Sequence, residues 1–150
     1  MNNEEISALN DRSVELWNAH DADGLADLYA AAATVRDAPN ADGAASGREA
    51  IVARTRMILD GLSDAKLEVL TRLIEGDRLA TEWRFTGTHD GEFLGVPATG
   101  QPTETLGATV SQFDADGKIV SETAYWDLAS FLRQTGVLPA GSESAVGAGR

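Results

Sequence analysis

Gly117-Lys118-Ile119-Val120-Ser121-Glu122-Thr123-Ala124-Tyr125-Trp126-Asp127 is the stretch on which the reading of this chain turns. It alternates and is rich in β-branched and aromatic residues, so it predicts a strand. Val120, Glu122, Ala124 and Trp126 share one face; Ile119, Ser121, Thr123, Tyr125 and Asp127 share the other. A lone carboxylate on an apolar face is costly without a partner. Glu122 is therefore either a satisfied structural group or a working acid/base.

Reading backward, Asp114-Ala115-Asp116-Gly117 is a hairpin turn, and Thr103 to Phe113 is a long strand before it. On that strand Leu106, Ala108 and Val110 form the apolar face, opposite Thr105, Thr109 and Ser111. Residues 90–102, rich in glycine and proline, form an irregular connection. Lys66 to Glu75 and Arg78 to about His89 are two further strands joined at Gly76-Asp77; Thr81, Trp83, Phe85, Gly87 and His89 share one face of the second.

The N-terminal half has a different period. Ile6, Leu9, Ser13, Leu16, Trp17 and His20 predict a helix over about 5–20. Leu25, Leu28, Tyr29 and Ala32 predict a short second helix capped by Asp21 or Asp23. Thr34 to Asp37 is a short strand, and 38–47 reads as a loop. Ser46 can cap a third helix over about 48–62, with Ile51, Thr55, Ile58, Leu59 and Leu62 inside. A final short helix runs from Leu128 to about Gln134, and residues 139–150 are expected to be a disordered tail. Helices first, then antiparallel strands, then a terminal helix make one α+β domain with helices on one face of a curved sheet around a pocket.

Composition narrows the function. The 150 residues suit one domain with its own core. The formal charge of −12 argues against nucleic acid or an anionic membrane as partner. Cysteine is absent, which excludes disulfides and thiol catalysis. Two histidines, with no His-x-x-x-His pair, imply no catalytic zinc site. Met1-Asn2-Asn3-Glu4-Glu5 lacks the apolar stretch of a signal peptide, and no apolar run is long enough to span a bilayer. A cytoplasmic location is the resulting expectation.

The run Gly87-Thr88-His89-Asp90-Gly91-Glu92-Phe93-Leu94-Gly95-Val96-Pro97-Ala98-Thr99-Gly100 resembles the signature of the SnoaL-like polyketide and ester cyclases, within the NTF2-like α+β cones. So do Asp116-Gly117-Lys118-Ile119, Tyr125-Trp126-Asp127 and Leu132-Arg133-Gln134-Thr135-Gly136, and the helix join Asn18-Ala19-His20-Asp21-Ala22-Asp23-Gly24-Leu25. The resemblance covers residues 8–138. It implies a cofactor-free enzyme with a deep pocket, working on an apolar small molecule, and a homodimer joined through the outer sheet face. The founding members close a ring by aldol chemistry. A gap-free alignment on Asp-Gly-Lys-Ile puts their acid/base aspartate at Ala124, a helper histidine at Val110 and a glutamine at Ala108.

The candidate acid/base residues are thus Glu122, Asp37 and His89. Glu122 shares the face of Ala124. Asp37 ends a strand where it can face the pocket or simply start a turn, and His89 either faces the pocket or holds the loop after it. Trp17, Tyr29, Trp83, Phe85, Leu106, Ala108, Val110, Ala124 and Trp126 are the expected pocket wall. Tyr125 and Asp127, on the other face, fit the dimer interface or a cap for the last helix. His20 reads as a cation at a helix C-terminus. Three functions follow: a cyclase or isomerase; an epoxide-opening enzyme using Asp37, Glu122 and Arg84 or Arg36, although Arg84 reads as outward-facing; and a non-catalytic ligand-binding dimer.

Overall fold

The computed structural model describes residues 1–40 and 42–139; the expected tail over 140–150 lies outside the described residues. Among the described residues, four helices and six strands follow in the order α1 (Asn3–Asn18), α2 (Ala22–Ala26), β1 (Tyr29–Asp37), β2 (Ala44–Ser46), α3 (Arg48–Gly61), β3 (Lys66–Glu75), β4 (Arg78–Thr88), β5 (Pro102–Phe113), β6 (Ile119–Trp126) and α4 (Leu128–Gln134). The strands form one sheet in the order β2-β1-β6-β5-β4-β3. All neighbours are antiparallel except β1 and β6, which run parallel. No helix among the described residues is long and apolar enough to cross a membrane.

Local chemistry explains the helix ends. Asn2 caps α1, and Glu5 reaches back to the Asn2 amide to complete a capping box. Asp21 caps α2 through the Gly24 amide, and Asp127 caps α4 through Ser130. The third helix departs from expectation. Its N-cap is Gly47, at φ +85, while Ser46 belongs to β2. The backbone must take the left-handed region there, which glycine does at low cost.

The second helix is shorter than the spacing of Leu25, Leu28, Tyr29 and Ala32 predicts. It stops at Ala26, and Tyr29 opens β1. The cause is non-local: Tyr29 pairs with Ile119 of β6, and Ile119 donates its amide to the Leu28 carbonyl. His20 also differs from its expected role. It lies past the helix end at φ 57, and its Nε2 meets the Ala65 carbonyl at 2.8 Å, tying the turn to the start of β3.

The core has three parts around the concave sheet face. Ile6 of α1 packs with Leu79, Phe113 and Ile119. Ile51 of α3 packs with Ala26, Ala33, Val35 and Ala45. Leu59, Leu62 and Ala65 pack with Phe93 and Phe131. One irregularity shapes the first group. Ser111 pairs with Glu122 and Gln112 with Ser121, but Phe113 pairs with Ile119, so β6 carries one extra residue at Val120. That bulge turns Ile119 inward, into the core, rather than onto the face expected from strict alternation.

Between these parts a cavity of ≈ 140 Å³ opens on the concave face. Its position follows from register. Trp83 pairs with Gly107 and Phe85 with Thr105, while Thr109 pairs with both Thr81 and Ala124. Paired residues share a face, so Thr105, Gly107, Thr109 and Ser111 look inward. Leu106, Ala108 and Val110 look outward. This corrects their expected place in the pocket wall: Leu106 is 53% exposed and Val110 39%. Alternation predicts two faces but not which one is buried.

Candidate active site

The cavity has an aromatic half and a polar half. Trp17 of α1 meets Phe85 edge-on at 5.9 Å, and Phe85 meets Trp83 at 6.5 Å. Phe93 and Leu94 from the loop after β4, with Phe131 of α4, complete this wall. Trp83 can lie flat across β5 only because its partner is Gly107. A methyl group at Gly107 would collide with the Trp83 ring and the Tyr125 carbonyl. The Trp83 indole N–H donates to Thr109 Oγ1 at 2.8 Å, which fixes the ring plane.

The polar half is built on β1, β6 and α3. Val35 pairs with Glu122 and Asp37 with Ala124, so Asp37 and Glu122 share one sheet face, offset by one inward position. Glu122 is gripped by two hydroxyls: Tyr29 donates to Oε1 and Ser111 to Oε2, each at 2.7 Å. Burial, then the charge of Glu122 and their hydrogen bond, raise the Tyr29 phenol well above its ordinary pKa. Tyr29 therefore stays a protonated donor. It does not line the cavity, as expected of it, but stands behind Glu122.

Asp37 is held in another way. Arg54 of α3 forks onto it, Nε to Oδ2 at 2.6 Å and Nη2 to Oδ1 at 2.7 Å. The Trp126 indole adds a bond to Oδ1 at 3.3 Å. Both side chains are only 12% exposed. Burial works against the Arg54 charge, but the hydrogen bonds and charge of Asp37 outweigh it, so the net shift raises its pKa. Sequence reasoning missed Arg54. The signal was present, since Ile51, Arg54, Thr55 and Ile58 share one helical face.

Of the sequence-predicted residues, Glu122, Asp37, Trp17, Trp83, Phe85, Ala124 and Trp126 meet at this cavity. His89 does not. It is fully buried beyond the end of β4, stacked edge-on against Phe131 at 5.3 Å. Its Nδ1 meets Thr99 Oγ1 at 2.9 Å, and its backbone carbonyl accepts from Thr99 and Gly100. It holds the connection that carries Phe93 and Leu94. Arg84 lies on the outer face beside Glu68 and Glu104. Among the described residues no group of three potential ligands could hold a metal ion.

An offset carboxylate pair with one buried guanidinium, against an aromatic wall, is equipped for proton transfer on a mostly apolar molecule with an oxygen at one end. The family model for SnoaL-like polyketide cyclases matches residues 7–135. The chain belongs to the SnoaL-like polyketide cyclase family. No curated protein matches it. Among solved structures it is similar to AclR, a candidate hydroxylase of Streptomyces galilaeus: 28% identical, covering 91% of this chain and 98% of that one, TM-score 0.78. It is similar to IdmH, a candidate polyketide cyclase of Streptomyces antibioticus: 28% identical, covering 87% and 98%, TM-score 0.72. A Catenulispora acidiphila protein with a ketosteroid isomerase-like fold matches at 24% identity over 88% and 94%, TM-score 0.74. The SnoaL-like chain thus has the NTF2-like cone that its sequence resemblance implies.

In this frame the register also bears on the gap-free alignment. Ala124 does line the cavity, but Val110 and Ala108 do not. The inward residues beside them are Thr109 and Ser111, and Ser111 already holds Glu122.

Proposed function

We propose that this chain is a cofactor-free cyclase of polyketide-type molecules that closes a ring within one substrate, with Glu122 as the acid/base. The observation that carries the reading is the Glu122 carboxylate in the wall of an aromatic cavity, each oxygen held by one neutral hydroxyl. Such bonds fix the carboxylate without neutralising it. Glu122 takes a proton from a carbon beside a carbonyl, and the electron pair moves to that oxygen as an enolate. The enolate carbon attacks a second carbonyl of the same chain. The new alkoxide takes the proton back from Glu122. Folding the substrate against Trp83, Phe85 and Trp126 contributes proximity, worth roughly 7–11 kcal/mol in well-oriented intramolecular reactions. The test is Glu122→Gln, assayed by the appearance of a cyclised isomer of unchanged mass. Full turnover in that variant would remove Glu122 from the mechanism.

One observation favours a second reading, epoxide opening by water. That chemistry needs an arginine beside two carboxylates. Arg54, rather than Arg84 or Arg36, is the arginine beside Asp37 and Glu122. Incorporation of labelled oxygen from water into product separates the readings, since ring closure incorporates none. A homodimer through the outer sheet face is supported by exposed Leu70, Leu106, Val110 and Tyr125. Sedimentation that gives a monomer at micromolar concentration would reject it.

A further inference from the structure

We propose that Arg54 donates a hydrogen bond from Nη1 to the oxygen on which negative charge develops, and that the cavity therefore selects a neutral, carbonyl-bearing substrate over a carboxylate or phosphate. The inference rests on Glu122 being the base. Arg54 spends Nε and Nη2 on Asp37. No hydrogen bond among the described residues uses Nη1, and Nη1 is not among the buried atoms that lack a partner. Arg54 forms part of the cavity wall, and Nη1 is the terminal nitrogen that it does not spend on Asp37. Asp37 and the Trp126 indole make its position rigid, so little reorganisation accompanies the appearance of charge.

The charge balance sets the substrate class. Asp37, Arg54 and Glu122 are the charged residues of the cavity wall, two acidic and one basic. With both carboxylates ionised they carry one net negative charge. A permanent anion adds a second negative charge to a buried site. A neutral carbonyl compound does not: as its proton moves to Glu122, the carboxylate loses the charge that the enolate oxygen gains. The total stays constant, and the new charge sits nearer the guanidinium. Asp37 is a positioning residue in this scheme, and Arg54 a catalytic one.

The probes are 4-nitrophenol, whose phenolate absorbs distinctly, and 4-nitrobenzoate, a fixed anion of similar shape. In mildly acidic buffer free nitrophenol is mostly neutral. The wild-type protein should bind it, develop the phenolate band, and bind nitrobenzoate more weakly. Arg54→Met should lose affinity about tenfold or more, with the phenolate band. Arg54→Lys keeps an ion pair with Asp37, so it remains testable if Arg54→Met fails to fold, and it should show the same losses. Wild-type-like binding in a folded Arg54 variant, or no nitrophenol binding by the wild type, overturns the assignment to Arg54. Tighter binding of nitrobenzoate overturns the substrate class. A phenolate band that persists in Glu122→Gln but vanishes in Arg54→Lys counts against Glu122 as base and leaves Arg54 standing.

Discussion

Asp37 and Glu122 occupy adjacent strands, face the same cavity and lie one inward position apart, yet their surroundings are opposites. A guanidinium forks onto Asp37, so its charge is compensated within the protein. Two hydroxyls hold Glu122, which fixes its position and leaves its charge in place. In the proposed reaction the pair divides structure from chemistry: Asp37 anchors α3 to the sheet through Arg54, and Glu122 is the group assigned to react.

The division can be broken from either side. Glu122→Gln should lower turnover by about 10²–10⁴-fold, the usual contribution of a positioned acid/base. Its melting temperature should stay near the wild-type value, because the amide still meets both hydroxyls. Asp37→Ala should act in reverse, costing roughly 3–5 kcal/mol in urea unfolding because it leaves the Arg54 charge buried and unpaired. A melting loss in Glu122→Gln larger than in Asp37→Ala would contradict the contrast.

Smaller effects sharpen it. Gly107→Ala forces the Trp83 ring off β5 and should cost about 1–3 kcal/mol by overpacking, with a shift in tryptophan fluorescence. It tests the aromatic wall without touching either carboxylate. Tyr29→Phe removes one hydroxyl from Glu122 and should cost about 0.5–1.5 kcal/mol near neutral pH. Tyr29 also sets a pH dependence. Its folded pKa is raised above the unfolded value of about 10, so its contribution is fully present below that pH and is lost as pH rises through the folded value. Unfolding curves from neutral to alkaline pH should show this loss in the wild type and not in Tyr29→Phe.

Much of this arrangement is legible in sequence. The helix caps Asp21 and Asp127, the turns at Gly76 and Gly117, and the β3–β4 and β5–β6 hairpins follow from local chemistry. So does the shared face of Glu122, Ala124 and Trp126. What was not legible is what distant parts of the chain decide. Tyr29 reads as helical by spacing and becomes a strand residue because β6 pairs with it. Leu106, Ala108 and Val110 look like core, but the partner strand turns the hydroxyl face of β5 inward. Arg54 fits the inner stripe of α3, yet only the fold shows that Asp37 meets it there. His89 sits in a conspicuous motif, and its ring serves the loop rather than the cavity.

The parallel pairing of β1 with β6 has a consequence for the order of assembly. Tyr29 and Glu122 are separated by 93 positions in the chain, and Asp37 and Trp126 by 89. The β3–β4 and β5–β6 hairpins close over short loops, so they can form early. Contacts this distant must wait, because the entropy of closing so long a loop is lost before the contact returns anything. A ribosome would release most of the sheet before β1, paired until then only with the adjacent β2, could meet β6, and the cavity would take shape only when the two ends of the domain meet. Until that late step the chain can be largely folded and hold neither a positioned Glu122 nor a substrate.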